Sequence, residues 1–435
     1  MNGSRGRAET GRPLAPNQGR RVVVTGMGAI SPNGIGLARF GEALRAGTSG
    51  VGRIRSFDPT PFATRIGGEI PGFDPASVLA DAHELRHVPR ASAMLLAASD
   101  EALATAGIDP AALSLEERRR FGVSIGTGGG GFAFTERMYD LWYAGDAKKA
   151  SVYTIPASTH GTMASEVSMR HALRGPSHVL STGCTSSTDA IGYAALAIRY
   201  GRADRVLAGG ADAPFAPGIF AAFSVMRIMT SSWNDEPARG SRPFSKDRDG
   251  FVLGEGAWTL VLEDLDAALA RRATILAEVL GYGSTCEAFH RVRLEENGIE
   301  PARAMTLAME DAGVGPEDVD YANLHGTSTV LNDRIETRAL KLALGARAAH
   351  VPASALKSMI GHPQGACGAA GVVASILAMR EDFLPPTINL DEADPECDLD
   401  YVANAARRGR IDVALCNCIG FGSKNSALVV ARPRL

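Results

Sequence analysis

The chain has 435 residues, 45% of them hydrophobic and 21% charged, and 45 Lys and Arg against 48 Asp and Glu give a net charge of −3. The apolar fraction excludes wholesale disorder, and the charge balance argues against nucleic acid as the main partner. No apolar run reaches the roughly 20 residues of a membrane span; the longest, such as Ala369–Met379, are shorter and rich in Ala and Gly.

Residues 1–20 hold Arg5, Arg7, Arg12 and Arg20 among Gly, Pro, Asn and Thr, with no apolar segment of a secretory signal, and read as a disordered lead-in. Folding is expected from Arg21. Short β-branched or apolar runs predict strands at Val22–Gly26, Gly122–Gly126, His178–Thr182, Arg205–Gly209, Thr259–Leu262, Ile275–Gly281, Tyr321–His325 and Ala427–Ala431. Between them, helical spacing marks Ala91–Ala106, Asp189–Tyr200, Pro301–Ala312 and Gly368–Arg380. Alternating strands and helices imply an α/β protein with largely parallel sheets. One set of elements spans 21–270 and a second spans 271–435, so the pattern leaves a duplication open.

The first strand runs into Gly26-Met27-Gly28-Ala29-Ile30-Ser31, which starts like a dinucleotide fingerprint. Ser31 replaces the third glycine and Pro32 follows, so the pyrophosphate-binding helix cannot begin properly. Gly126-Thr127-Gly128-Gly129-Gly130-Gly131 lacks the Gly-Lys-Ser/Thr of a phosphate loop; its glycines instead suit close backbone approach to a chain segment or ligand.

Six cysteines, at 184, 286, 367, 397, 416 and 418, form neither a disulfide framework nor a zinc knuckle, and a reducing cytoplasm is the simplest home. Cys184 stands out. It sits in Ser181-Thr182-Gly183-Cys184-Thr185-Ser186-Ser187, at a tight turn between a strand and a helix expected to end at Gly201. A helix start favours a thiolate, and small neighbours leave room for substrate. The commoner fate of a cysteine, structural burial, is the alternative. Among nine histidines, His325 opens the polar turn Gly326-Thr327-Ser328-Thr329, and His362 ends Lys357-Ser358-Met359-Ile360-Gly361-His362 before a small-residue helix. Such loop ends are where α/β active sites collect. His83, His87, His171 and His350 read as solvated surface. Spacing alone does not bring Cys184, His325 and His362 together.

Gly183-Cys184-Thr185-Ser186, His325-Gly326-Thr327-Ser328-Thr329, Lys357–His362 and Gly420-Phe421-Gly422 occur in the order found in β-ketoacyl-acyl-carrier-protein synthases. Arg242-Pro243-Phe244, Asp249–Gly256 and Pro385–Leu390 extend the resemblance over Arg21–Leu435. It implies the thiolase fold, with duplicated halves in five α-β-α-β-α layers and a dimer. The chain most resembles the elongating Cys-His-His type, and Asp394–Val402 resembles the ketosynthase subunit of type II polyketide synthases. Those subunits pair with a homologous chain-length factor lacking the cysteine.

The resemblance implies Cys184 as the acylated nucleophile, the amides of Cys184 and Phe421 as oxyanion donors, and His325 and His362 as stabilisers of a malonyl-derived enolate. It further implies Lys357 for charge balance, Thr327 and Thr329 on the phosphopantetheine arm, Phe421 as a gate, and Gly129 at the acyl-pocket end. No metal and no cofactor of its own are implied; phosphopantetheine arrives on acyl carrier protein. The partners implied are that carrier and a chain-length-factor homologue in a heterodimer, or otherwise a homodimer. The implied reaction is decarboxylative condensation with malonyl-carrier protein, extending a polyketide by two carbons. A fatty-acid-elongating homodimer, a non-condensing partner subunit, and a thiolase using Cys416 or Cys418 as base are the competing readings.

Departures from the family pattern are Gly371 in place of a glutamate, Ser423-Lys424 in the Gly-Phe-Gly-Gly loop, and Arg291-Val292-Arg293 in place of Met-Thr-Ser after His290.

Overall fold

In the computed structural model, which describes residues 19–79, 81 and 83–434, ten strands build two like halves. Most of the lead-in expected over 1–20 lies outside the described residues. The first half uses β1 (Val22–Ser31), β2 (Phe121–Gly126), β3 (Ser177–Leu180), β4 (Arg205–Asp212) and β5 (Gly256–Asp264) in the order β1-β5-β4-β2-β3. The second uses β6 (Ala277–Cys286), β7 (Tyr321–Asn323), β8 (Ala353–Ser354), β9 (Val413–Gly420) and β10 (Lys424–Ala431) in the order β6-β10-β9-β7-β8.

In each half the first two pairings along that order are antiparallel and the last two parallel. Identical order and direction are what a duplication leaves behind. The halves join where Val23 pairs with Glu278 and Val24 with Ala277.

Five helices complete the layers: α1 (Arg90–Thr105), α2 (Ser186–Arg199), α3 (Ile299–Ala312), α4 (Val330–Leu344) and α5 (Cys367–Arg380). Side chains alternate across a strand, and here both faces are buried. On β5, Trp258, Leu260 and Leu262 enter a central core with α2 and α5, whereas Ala257 and Val261 face an outer core with α1. On β10, Leu428 and Val430 face the centre, while Ala427, Val429 and Ala431 face the outer helices α3 and α4. The result is the expected α-β-α-β-α stack. Small residues let the central helices touch: a Cβ on Gly368 would lie 2.0 Å from Thr188 Oγ1.

The glycine motifs serve packing. A Cβ at Gly26 or Gly28 would lie 2.1 or 2.0 Å from carbonyl oxygens of α1, and β1 simply continues to Ser31. The amides of Gly128, Gly129 and Gly130 donate to the Asp212 carboxylate at 2.8, 2.9 and 3.2 Å, so the protein's own anion satisfies this turn. His87 corrects the surface reading: it is buried, with Nδ1 2.6 Å from Ser151 Oγ. Among the described residues, no helix is long and apolar enough to cross a membrane.

A buried arginine with two carboxylates holds the Thr327–Thr329 turn to the frame, Arg248 Nε donating to the Thr329 carbonyl at 3.3 Å. Arg248 is fully buried, 3.2 Å from Asp333 and 2.9 Å from Asp394, and it donates to the Val330 carbonyl at 3.0 Å. Removing one member of such a set strands the others, at a cost of about 3–5 kcal/mol. Arg248→Met is therefore expected to lower the urea midpoint by that stability, measured against the parent at equal slope.

Candidate active site

Cys184 lies in a single 3-10 turn, Gly183–Thr185, that feeds directly into α2. Gly183 takes φ +73°, a left-handed conformation that glycine adopts without penalty. The turn is fixed by Ser186 Oγ, which accepts from the Thr182 amide at 2.9 Å. Asp189, in the first turn of α2, accepts from Thr185 Oγ1 at 3.0 Å and from the Tyr282 hydroxyl at 2.8 Å.

The thiolate expectation needs correcting. Burial, reinforced by the neighbouring Cys367, pushes the Cys184 thiol up to about 12, outweighing the Lys357 charge and the Phe421 N–H aimed at its sulfur. At rest Cys184 is a neutral thiol.

The sulfur, His325 and His362 come together: one ligand-type atom from each lies within 4.8 Å of the others. They line a cavity of about 170 Å³ shared with Thr327, Thr329 and Phe421. The imidazole planes are nearly perpendicular, with centroids 5.3 Å apart. Burial, with the Lys357 charge, holds both imidazoles well below the ordinary histidine range, so both are neutral.

Backbone contacts fix each ring. The amides of His325 and Gly326 donate to Glu336 at 2.6 and 2.7 Å, and the His362 amide donates to Val252 O at 2.7 Å. Lys357, buried behind the rings, donates to the His325 carbonyl at 2.5 Å and lies 3.3 Å from His325 Nδ1. An ammonium beside Nδ1 makes that nitrogen the acceptor, which puts the ring proton on Nε2.

Thr327 and Thr329 sit with hydroxyls 2.9 Å apart at the cavity wall. Gly129 lines a neighbouring cavity of about 310 Å³ rather than the one holding Cys184; Gln364 borders both. The space over Gly129 is taken by Phe132, whose ring a Cβ would meet at 2.7 Å.

Two of the sequence departures meet in one contact. Ser423, at φ +66°, accepts at Oγ from the amides of Phe289 and His290, both at 3.2 Å, and Gly422 donates to Arg291 O at 2.9 Å. The turn carrying Phe421 is thus latched to the loop carrying Val292 and Arg293, which also line the Cys184 cavity. At Gly371 a Cβ would lie 2.4 Å from Asn323 Oδ1, so Asn323 fills the space a larger side chain would need.

Sequence reasoning gave no role to Glu336 or Cys367 and weighed Cys418 only as a thiolase-type base. Cys367 and Cys418 contact Cys184 from behind, and both sulfurs approach its carbonyl, at 3.2 and 3.0 Å. Neither lines the Cys184 cavity, so Cys418 is not placed as a thiolase-type base. Among the described residues, two triads have ligand atoms close enough for a metal, Cys184-His325-His362 and His325-Cys367-Cys418. Both use His325, beside which the Lys357 charge opposes a second cation.

A thiol with an amide aimed at its sulfur, and two neutral imidazoles sharing its cavity in a duplicated α/β fold, are the arrangement of a condensing enzyme of thiolase architecture. Family models described as "Beta-ketoacyl synthase, N-terminal domain" and "Beta-ketoacyl synthase, C-terminal domain" match residues 19–268 and 276–391. The chain belongs to the beta-ketoacyl synthase family, whose members are condensing acyltransferases.

It is 43% identical over 421 residues to the tetracenomycin polyketide synthase ketoacyl synthase alpha subunit of Streptomyces glaucescens, covering 95% of this chain and 98% of that one. It is also 40% identical over 413 residues to 3-oxoacyl-(acyl-carrier-protein) synthase 2 of Coxiella burnetii, covering 95% and 99%. Among solved structures, the ishigamide ketosynthase/chain length factor superposes with TM-score 0.88 at 34% identity, covering 96% of this chain and 100% of that one. A type II PKS acyl-carrier protein in complex with its ketosynthase bound to the hexaketide gives TM-score 0.87 at 32% identity, with the same coverage.

Proposed function

We propose that this chain extends a carrier-bound polyketide by two carbons through decarboxylative condensation with malonyl-carrier protein, as the ketosynthase half of a type II system. The observation that carries this reading is the complete Cys184-His325-His362 set around one cavity. A non-condensing partner would have no use for an intact nucleophile.

In the first half-reaction Cys184 attacks the acyl thioester, its proton passing to the departing phosphopantetheine sulfur through a neutral imidazole. The amides of Cys184 and Phe421 hold the oxyanion. Malonyl thioester then enters, its arm lying along Thr327 and Thr329. His325 and His362 donate to its carbonyl oxygen as carbon dioxide leaves, and the enolate carbon attacks the acyl-Cys184 carbonyl. Collapse returns the Cys184 thiolate and leaves the β-ketoacyl product on the carrier. Phe421 gates passage between the two substrates. Six free cysteines suit a reducing cytoplasm.

The partner is a homologous subunit acting as a chain-length factor. Trp142, Tyr143, Val152 and Ile155 lie exposed on segments beside the Gly129–Phe132 turn, an apolar face suited to burial against another chain. A fatty-acid-elongating homodimer is the second reading, favoured by the likeness to 3-oxoacyl-(acyl-carrier-protein) synthase 2 relatives. Malonyl-carrier protein supplied with and without the co-expressed homologue separates the two. Long unreduced carrier-bound products that require the partner support polyketide extension, whereas a single β-ketoacyl step by the chain alone supports the fatty-acid reading.

Because Phe132 covers Gly129, the ring rather than the glycine closes the acyl tunnel on this side. Phe132→Ala is expected to lengthen the longest acyl chain accepted and Phe132→Trp to shorten it, read by mass of the acylated protein. Unchanged lengths in both would place the tunnel elsewhere.

A further inference from the structure

Among the described residues, Gln364 is the one residue shared by the cavity that holds Cys184 and the larger cavity beside Gly129. It stands at the wall between them, and a chain leaving the Cys184 sulfur for the larger space has to pass it.

The backbone pins Gln364 there. A Cβ on the following Gly365 would lie 2.2 Å from the Gly128 amide nitrogen, so the two turns cross at contact distance. A Cβ on Gly128 would in turn meet Gln364 Cβ at 3.2 Å. Gln364 itself takes φ +45°, a left-handed conformation that suits glycine or asparagine better than a longer side chain. A backbone outlier beside a reactive cavity points to a use for the side chain it carries.

The amide is loosely held. Its Nε2 donates to the His362 carbonyl at 3.3 Å, beyond the usual range, and that carbonyl already accepts from the Gly254 amide at 3.0 Å. The second N–H and Oε1 have no protein partner among the described residues. The other side chains of the larger cavity leave little for an oxygen atom. Ile219, Ala222, Phe223 and Met226 are apolar, and the Asp212 carboxylate is taken up by Thr127 and the Gly128–Gly130 amides. A carbonyl entering there loses water and needs a donor in exchange.

We propose that Gln364 is a specificity-determining residue that reads the keto oxygens of an unreduced acyl chain as it crosses between the cavities. The role rests on the polyketide reading above. A poly-β-ketone carries an oxygen on every second carbon, so one falls within a carbon of the amide however deep the chain has gone. Each extension adds two carbons and restores the same register. A keto oxygen accepts from Nε2 and an enol hydroxyl donates to Oε1, so one amide serves both tautomers. A saturated chain offers neither and gains nothing for displacing the His362 contact. Because that contact already occupies one N–H, the preference is that of an ordinary hydrogen bond, roughly five- to tenfold. It falls far short of the discrimination, about 10⁴, of a site whose buried polar groups would be left unpaired.

Competition for Cys184 tests this without calling on condensation. Full-length protein is offered equal amounts of octanoyl and 3-oxooctanoyl pantetheine thioesters. Cys184 takes the acyl group, pantetheine leaves as the thiol, and mass separates the two adducts. Gln364→Met keeps the length and loses the amide, and its ratio of 3-oxooctanoyl to octanoyl adduct is expected to fall by that factor from the parent's. Intrinsic differences between the thioesters cancel between the two proteins, and general damage lowers both adducts alike. Gln364→Glu, which keeps the shape but loses both N–H donors, is expected to show the same fall and stands in if methionine unsettles the turn. A parental ratio in either folded variant overturns the proposal. A ratio that falls as expected, in a protein whose parent condenses neither adduct with malonyl-carrier protein, would instead sustain the role of Gln364 and overturn the functional reading.

Discussion

His325→Ala and His362→Ala are each expected to accept an acyl group on Cys184 yet lose malonyl decarboxylation and condensation by about 10²–10³, the usual cost of one donor to a developing oxyanion. Acylation needs the thiol, the amides of Cys184 and Phe421, and one imidazole to relay the thiol proton, and either single change leaves the other ring in place. Decarboxylation instead builds negative charge on a thioester oxygen, which the two imidazoles lining the cavity are placed to meet. Both rings are neutral because burial and Lys357 disfavour their charged forms, so each acts as a hydrogen-bond donor rather than a cation.

A pH consequence follows with definite sign. Since both values lie below the ordinary histidine range, decarboxylation is expected to stay level as pH falls through that range and to drop only under more acidic conditions. Mass measurement of acyl-Cys184 and the rate of carbon dioxide release check the two halves separately. Undiminished decarboxylation in either variant would remove that histidine from the mechanism.

The layers were legible from periodicity, and most of the site from four motifs, but for different reasons. Buried strands such as β1, β2, β4 and β5 announce themselves as β-branched or apolar runs. By contrast β9, Val413-Ala-Leu-Cys-Asn-Cys-Ile-Gly420, is broken by Asn417 and two cysteines, and its identity depends on pairing with β7 and β10. The helix α4 carries Asn332, Asp333, Glu336 and Thr337 on a buried face, so a polar pattern that reads as surface is in fact satisfied inside.

His325 and His362 could be named as candidates because their motifs are local. Cys367 and Cys418 could not be paired, being 51 residues apart and brought together only where α5 crosses β9. His87 was misread for a related reason: a charged neighbourhood in sequence says nothing about Ser151, 64 residues away, folding over it. The helix-start rule for thiolates also failed at Cys184, because the rule concerns the dipole alone and desolvation is larger there.

Cys184→Ala is expected to abolish condensation, by on the order of 10⁶ as for other covalent nucleophiles, while carrier-bound malonate is still decarboxylated. The imidazole pair and cavity that stabilise the enolate do not depend on the sulfur, so the enolate forms and is protonated by solvent to an acetyl thioester. Peptide mapping of the parent after incubation with acyl-carrier protein is expected to place the acyl group on Cys184 alone. An acyl group on Cys367 or Cys416 would overturn the assignment. The comparison is a severe one, because Cys367 is held below the ordinary cysteine value while Cys184 is raised to about 12. By acidity alone Cys367 would react first. Access reverses that order: Cys184 borders the substrate cavity, whereas Cys367 and Cys416 face only the small enclosed space behind it. An acyl thioester needs an approach to the sulfur before its charge matters, so the reachable neutral thiol, deprotonated as it attacks, is the one that carries the chain.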